Sequence, residues 1–170
     1  MKAALFLVAL ASLSCASSPE RPRAEIDAFE IRLHATMNDD EREAFRRGAR
    51  AWEPQIVWTF GDDYAGDSPP VAAEPTHTIY VAPVEADEPA ALQRPSWDGW
   101  AMSFPRFRAV YFVRSRWDNE APRVAAHELG HAIGLAHVAK GLMQSGGPML
   151  ADPAPYGDDW IEFCRVFSCD

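Results

Sequence analysis

Three of the five histidines in this 170-residue chain fall within eleven residues, His127-Glu128-Leu129-Gly130-His131-Ala132-Ile133-Gly134-Leu135-Ala136-His137. On a helix His127 and His131 stand four apart, so both imidazoles leave one face at neighbouring heights. That separation lets two ring nitrogens sit about 2.0–2.1 Å from a shared Zn2+. Glu128 is rotated by about 100° from His127, which places it beside such an ion and not on it, suited to take a proton from a water. A straight helix would carry His137 about 9 Å beyond His131 along the axis, too far for one ion to bind all three. The helix must therefore stop, and Gly134 stands where a left-handed turn can reverse the chain. Two ligands, a base, a hinge and a third ligand follow one another in workable order. The competing readings are a zinc site that binds without cutting and a helix with surface histidines.

This run resembles the metzincin motif H-E-x-x-H-x-x-G-x-x-H at every defining position. Met143, six residues after His137 and preceded by Leu142, stands where the matrixin-like branch of that clan keeps its Met-containing turn; Pro148-Met149 is the second candidate. Astacin-like and serralysin-like members carry a Tyr ligand two residues after that Met, and Ser145 occupies the place here. The resemblance implies an α+β fold, a single metzincin-like zincin domain. Its mixed, mostly five-stranded sheet would carry an active-site helix, a second helix packed on the sheet and a short C-terminal helix. It also implies one catalytic Zn2+ on His127, His131 and His137, and a zinc-dependent metalloendopeptidase in which a zinc-activated water attacks the peptide bond and Glu128 is the general base. A peptide or protein substrate would pair with an edge strand at 99–104. The alternative is a zinc-binding surface module that holds peptide without hydrolysing it.

Some matrixin-like enzymes hold a structural Ca2+ or a second Zn2+, for which Asp62, Asp63 and Asp67 are available. Their spacing matches no EF-hand loop, and a solvated acidic turn is the better reading. His34 and His77 read as a strand residue and a loop residue. The loop at 144–158, which would shape the specificity pocket, has no readable signal beyond its Gly and Pro content.

The elements that must position these groups are legible from periodicity. Residues 29–34 alternate apolar and polar, the mark of a half-buried strand. Asn38 with Glu41 three residues on is a capping box for a helix at 39–52, along which Phe45, Ala49 and Trp52 recur on one face and Glu43 precedes Arg47 by one turn. Strands are expected at 55–60, with Ile56, Trp58 and Phe60 on one face, at 78–84, and at 109–115. A weaker strand at 97–104, broken by Gly99 and closed by Pro105, suits a sheet edge. Asn119 caps the zinc helix, whose first turn tolerates Pro122, and a shorter helix at 158–167 ends the chain.

Composition narrows the class. Sixteen Lys and Arg against 25 Asp and Glu, a net charge of −9, argue against gripping nucleic acid, whose phosphates demand cations. No run of 18 or more apolar residues follows the amino terminus, so no transmembrane helix is expected. Residues 1–16 read as a signal peptide, with Lys2 before an eleven-residue apolar stretch. Residues 17–24 read as a linker, and 25–170 as the catalytic domain of an expected monomer. Two fates compete at the junction: cleavage that releases a secreted protein, or lipidation of Cys15 that anchors a lipoprotein in a bacterial envelope. Export leaves Cys164 and Cys169 as a pair for a disulfide, provided the chain turns between them, because residues five apart on a straight helix do not face each other.

Overall fold

The computed structural model describes residues 27–66, 77–84, 101–104, 108–117, 120–145 and 154–169. The signal segment, the linker, Cys15, Asp67, Gly99, Asn119 and Pro148-Met149 lie outside them. The elements run β1 (Asp27–Leu33), α1 (Asp39–Arg50), β2 (Ile56–Phe60), β3 (Thr78–Val84), β4 (Ala101–Phe104), β5 (Ala109–Val113), a 3-10 turn (Arg114–Arg116), α2 (Ala121–Ala132) and α3 (Asp158–Phe167). The five strands form one sheet in the order β2-β1-β3-β5-β4. Neighbours are parallel except β4, which runs antiparallel to β5 at the edge. This is the α+β arrangement of a mostly parallel sheet with helices that the sequence implied.

Period-two alternation builds one face of the sheet. Phe29, Ile31 and Leu33 of β1, Ile79 and Val81 of β3, and Val110 and Phe112 of β5 are all buried in one core with Phe45, Ala49 and Trp52 of α1 and Ala125, Ala126 and Leu129 of α2. The register puts Ile31 beside Ile79 and Val81 beside Val110, so these side chains stack across strands on the helix side. Helices α1 and α2 cross closely at Gly48, where a Cβ would lie 2.7 Å from the Ala126 backbone nitrogen. From the same crossing the Trp52 indole donates to the Ala126 carbonyl at 2.9 Å, one residue before His127.

The capping box forms as the spacing predicts: the Asn38 side chain accepts from the Glu41 N–H and Glu41 accepts from the Asn38 N–H. Glu41 has a second role that spacing did not show, a half-buried ion pair at 2.7 Å with Arg114 beyond β5. Details differ from the sequence reading: β1 runs Asp27–Leu33 and not 29–34, leaving His34 just past its end, and β2 begins at Ile56 and not at 55. Helix α1 ends at Arg50 and not at 52, because its last turn tightens, with Trp52 N–H bonding back three residues to Ala49. Glu43 reaches Arg50, at 2.7 Å, instead of Arg47; both side chains are exposed, where pairing geometry is weakly enforced. Strand β5 stops at Val113, two residues early, as the chain enters the 3-10 turn. No helix among the described residues is long and apolar enough to cross a membrane.

Helix α3 ends at Phe167, Ser168 takes a left-handed conformation (φ 51°), and the reversed chain brings Cys169 to Cys164 in a disulfide with Cα atoms 4.7 Å apart. Closing so short a loop removes little chain entropy, equivalent to about 2 kcal/mol. Replacing Cys164 by Ser is expected to lower unfolding free energy by about 2 kcal/mol in guanidinium titrations. A reductant should destabilise the native chain by the same amount and leave the variant unchanged.

Candidate metal centre

Helix α2 carries His127, Glu128 and His131 and ends at Ala132. The chain then turns on Gly134, whose φ of 105° is one an L side chain rarely adopts. The turn is closed by hydrogen bonds from Gly134 N–H to the His131 carbonyl and from Leu135 N–H to the Gly130 carbonyl. His137 thereby returns to the two helical histidines. The Nε2 atom of His131 lies 3.1 Å from that of His127 and 3.1 Å from that of His137. Four tetrahedral ligands on bonds of about 2.1 Å have nitrogens about 3.4 Å apart, so the spacing suits one small ion. Among the described residues this is the one group of three such side chains gathered tightly enough to hold a metal.

The ring protonation suits a cation. His127 Nδ1 lies 2.7 Å from the Leu142 carbonyl and His131 Nδ1 lies 2.8 Å from the Leu135 carbonyl. A carbonyl only accepts, so each Nδ1 carries the hydrogen and each neutral ring presents an Nε2 lone pair. Burial keeps them neutral, pushing the His127 pKa down to about 4 and lowering that of His131. Two lone pairs facing at 3.1 Å repel, and a divalent cation between them turns that repulsion into coordination. The residues present fit zinc.

Behind the histidines stands a set of carboxylates that spacing did not reveal. The fully buried Asp159 of α3 accepts hydrogen bonds from the backbone N–H groups of Leu142 (2.7 Å), Met143 (2.8 Å) and Tyr156 (2.9 Å). One turn on, Glu162 accepts from the Ala136 N–H at 2.8 Å, and Asp158 accepts from Lys140 N–H at 3.2 Å. The carbonyl that orients His127 therefore belongs to a turn held by α3. Met143 is itself fully buried, its sulfur packed against Gly130 between the first two histidines.

Glu128 is 8 % exposed. Burial raises its pKa to about 7, opposed by hydrogen bonds from the side chain and the backbone of Ser103 on β4. The remaining sequence candidates fall elsewhere. His34 bonds Thr36 and the Gly66 carbonyl, and His77 packs edge-on against Phe29. The Asp63 carboxylate is occupied by Arg42 at 2.8 and 2.9 Å. Strand β4 is an edge, as expected, over the part that is described. Ser145 is exposed.

By sequence the chain matches no family model and no curated protein. By structure it resembles a zinc-dependent peptidase from Methanocorpusculum labreanum, with a TM-score of 0.51 and 10% identity over 79% of this chain and 98% of that one. It also resembles an archaemetzincin from Methanopyrus kandleri, with a TM-score of 0.56 and 10% identity over 85% and 96%. The chain shares their fold. At this identity the likeness is one of architecture, and the chemistry must be argued from the residues just described.

Two outcomes test the support of the site. Asp159→Asn removes acceptor capacity from three backbone N–H groups, two of them buried, and should cost about 3 kcal/mol in urea unfolding and weaken zinc binding by about 10–100-fold, read by competition with a chromogenic chelator. The second concerns zinc-free protein. His127 has a folded pKa of about 4 against an ordinary value of about 6.5, so the unfolded chain binds its proton first as pH falls. The contribution of His127 is complete above pH 6.5 and is lost as pH falls toward 4, by about 3 kcal/mol in all. The stability difference between zinc-free wild type and His127→Gln should shrink over that interval.

Proposed function

We propose that this chain is a zinc-dependent metalloendopeptidase of the matrixin-like type. The observation that carries the reading is the convergence of the His127, His131 and His137 Nε2 atoms at the helix that also carries the buried carboxylate of Glu128. The fold shared with zinc-dependent peptidases, the three-histidine set and Ser145 in place of a Tyr ligand support it. Zinc held by the three histidines supplies Lewis acidity, lowering the pKa of water to about 7 and polarising a carbonyl.

The rest is done by the chain. Glu128 accepts the proton of the attacking water as the water adds to the scissile carbonyl, then passes it to the departing amine. Without the ion, burial holds its pKa above the ordinary carboxylate value; a bound cation would draw it back toward the ionised, proton-accepting form. Strand β4 lies at the sheet edge, where an extended peptide can add as a further strand. The N-terminal features fit an exported enzyme, either soluble or anchored through a lipid on Cys15, working as a monomer.

A fluorogenic peptide library tests the reading. Wild type should cleave, lose activity to a chelator and regain it with Zn2+. Glu128→Gln should bind zinc as wild type does while kcat falls by about 10²–10⁴-fold. Undiminished hydrolysis by that variant would remove Glu128 from its role; bound peptide without any cleavage by wild type would favour the binding module.

A further inference from the structure

The base does not stand free in its cleft. In β4, Ser103 lies opposite Val110 of β5, and directly paired residues point to the same face of a sheet. The Ser103 side chain is therefore on the helix side, toward α2. There its hydroxyl and its own backbone N–H both donate to the Glu128 carboxylate. A carboxylate offers about four acceptor positions in one plane, so two donors fixed to a strand set both the place and the tilt of that plane. Any residue at this position would bring the N–H; the hydroxyl is particular to Ser.

The same strand is the sheet edge on which the substrate would lie. Resting on the reading of Glu128 as the base, we propose that Ser103 is a positioning residue, its hydroxyl tying the carboxylate to the strand that also aligns the peptide. Base and scissile bond are then registered against one element. Nothing in the spacing of the zinc-binding run points to this contact, which arises only when β4 is laid beside α2.

Alanine at 103 keeps the N–H and deletes the hydroxyl, whereas threonine keeps both. Ser103→Ala is expected to lower kcat by about tenfold or more with KM changed less than about twofold, since the lost contact orients a reacting group and does not bind substrate. Ser103→Thr should restore kcat to within about threefold of wild type. Zinc content by atomic absorption should be the same in all three. Crystal structures of the zinc-free proteins give a readout apart from turnover: the Glu128 carboxylate should stay against β4 in wild type and Ser103→Thr and leave it in Ser103→Ala, with the three histidines unmoved. If wild type cleaves, Glu128→Gln does not, and Ser103→Ala turns over like wild type, the proposal is overturned while the peptidase reading stands. It is likewise overturned if Ser103→Thr is as slow as Ser103→Ala, or if the carboxylate keeps its place without the hydroxyl. A wild type that cleaves no peptide overturns the peptidase reading, and the positioning role of Ser103 with it.

Discussion

Neutral imidazoles do not gather spontaneously. Three ring nitrogens within coordinating distance of one ion, two of them with lone pairs fixed inward, form an arrangement that apo chemistry opposes. It must be held by groups other than the histidines. Here the holding is done through the far ring nitrogens: Leu135 and Leu142 carbonyls accept from Nδ1 of His131 and His127. Each such bond fixes tautomer and ring orientation together, and partners of this kind govern metal affinity nearly as strongly as the ligands. Leu142 is in turn held by Asp159, so the orientation of the first histidine depends on a carboxylate 32 residues further along the chain.

Helix α3 acts as the brace for that network. Its first turn presents Asp158 and Asp159, where negative charge is favoured by the unsatisfied N–H groups of a helix start, and its second presents Glu162. Together they accept from Ala136, Lys140, Leu142 and Met143, the backbone that carries the third histidine and the turn beneath the site. Buried amides need acceptors. A stretch too irregular to form a helix or strand finds them in side chains. The disulfide at the far end of α3 and the stacking of Phe163 on Trp52 and Phe167 keep that brace in register with the core.

How much of this could be read beforehand follows from sequence distance. The i,i+4 histidines, Glu128, Gly134 and the Asn38–Glu41 capping box are local patterns, and each is written within a dozen residues. The strands were legible from alternation because one face of each is buried. The contacts that join elements were not. Asp159 reads as an ordinary acidic residue at a helix start, Glu162 as half of a surface pair with Arg165, and Ser103 as a polar residue in a weak strand. Glu41 shows its cap but not its ion pair with Arg114, 73 residues away. Such roles exist only once the sheet order brings β4 to the edge beside α2 and packing brings α3 beneath the turn. The exposed pairs went the other way: Glu43 with Arg47 was the better guess by spacing, and freedom at the surface chose Arg50.

Burial then acts on the two kinds of titratable group in opposite senses. It lowers the pKa of His127 and raises that of Glu128, because a low-dielectric site disfavours either charge. The histidines gain by this, since a neutral ring is the form that ligates. The carboxylate is left close to neutral pH, retained as an acceptor chiefly by two hydrogen bonds from β4. A divalent cation on the three rings would favour its ionised form, so the ion and the edge strand pull the same group toward the same state. Neutral rings with lone pairs and a carboxylate drawn to its ionised form are both served by one positive charge held where the three nitrogens meet.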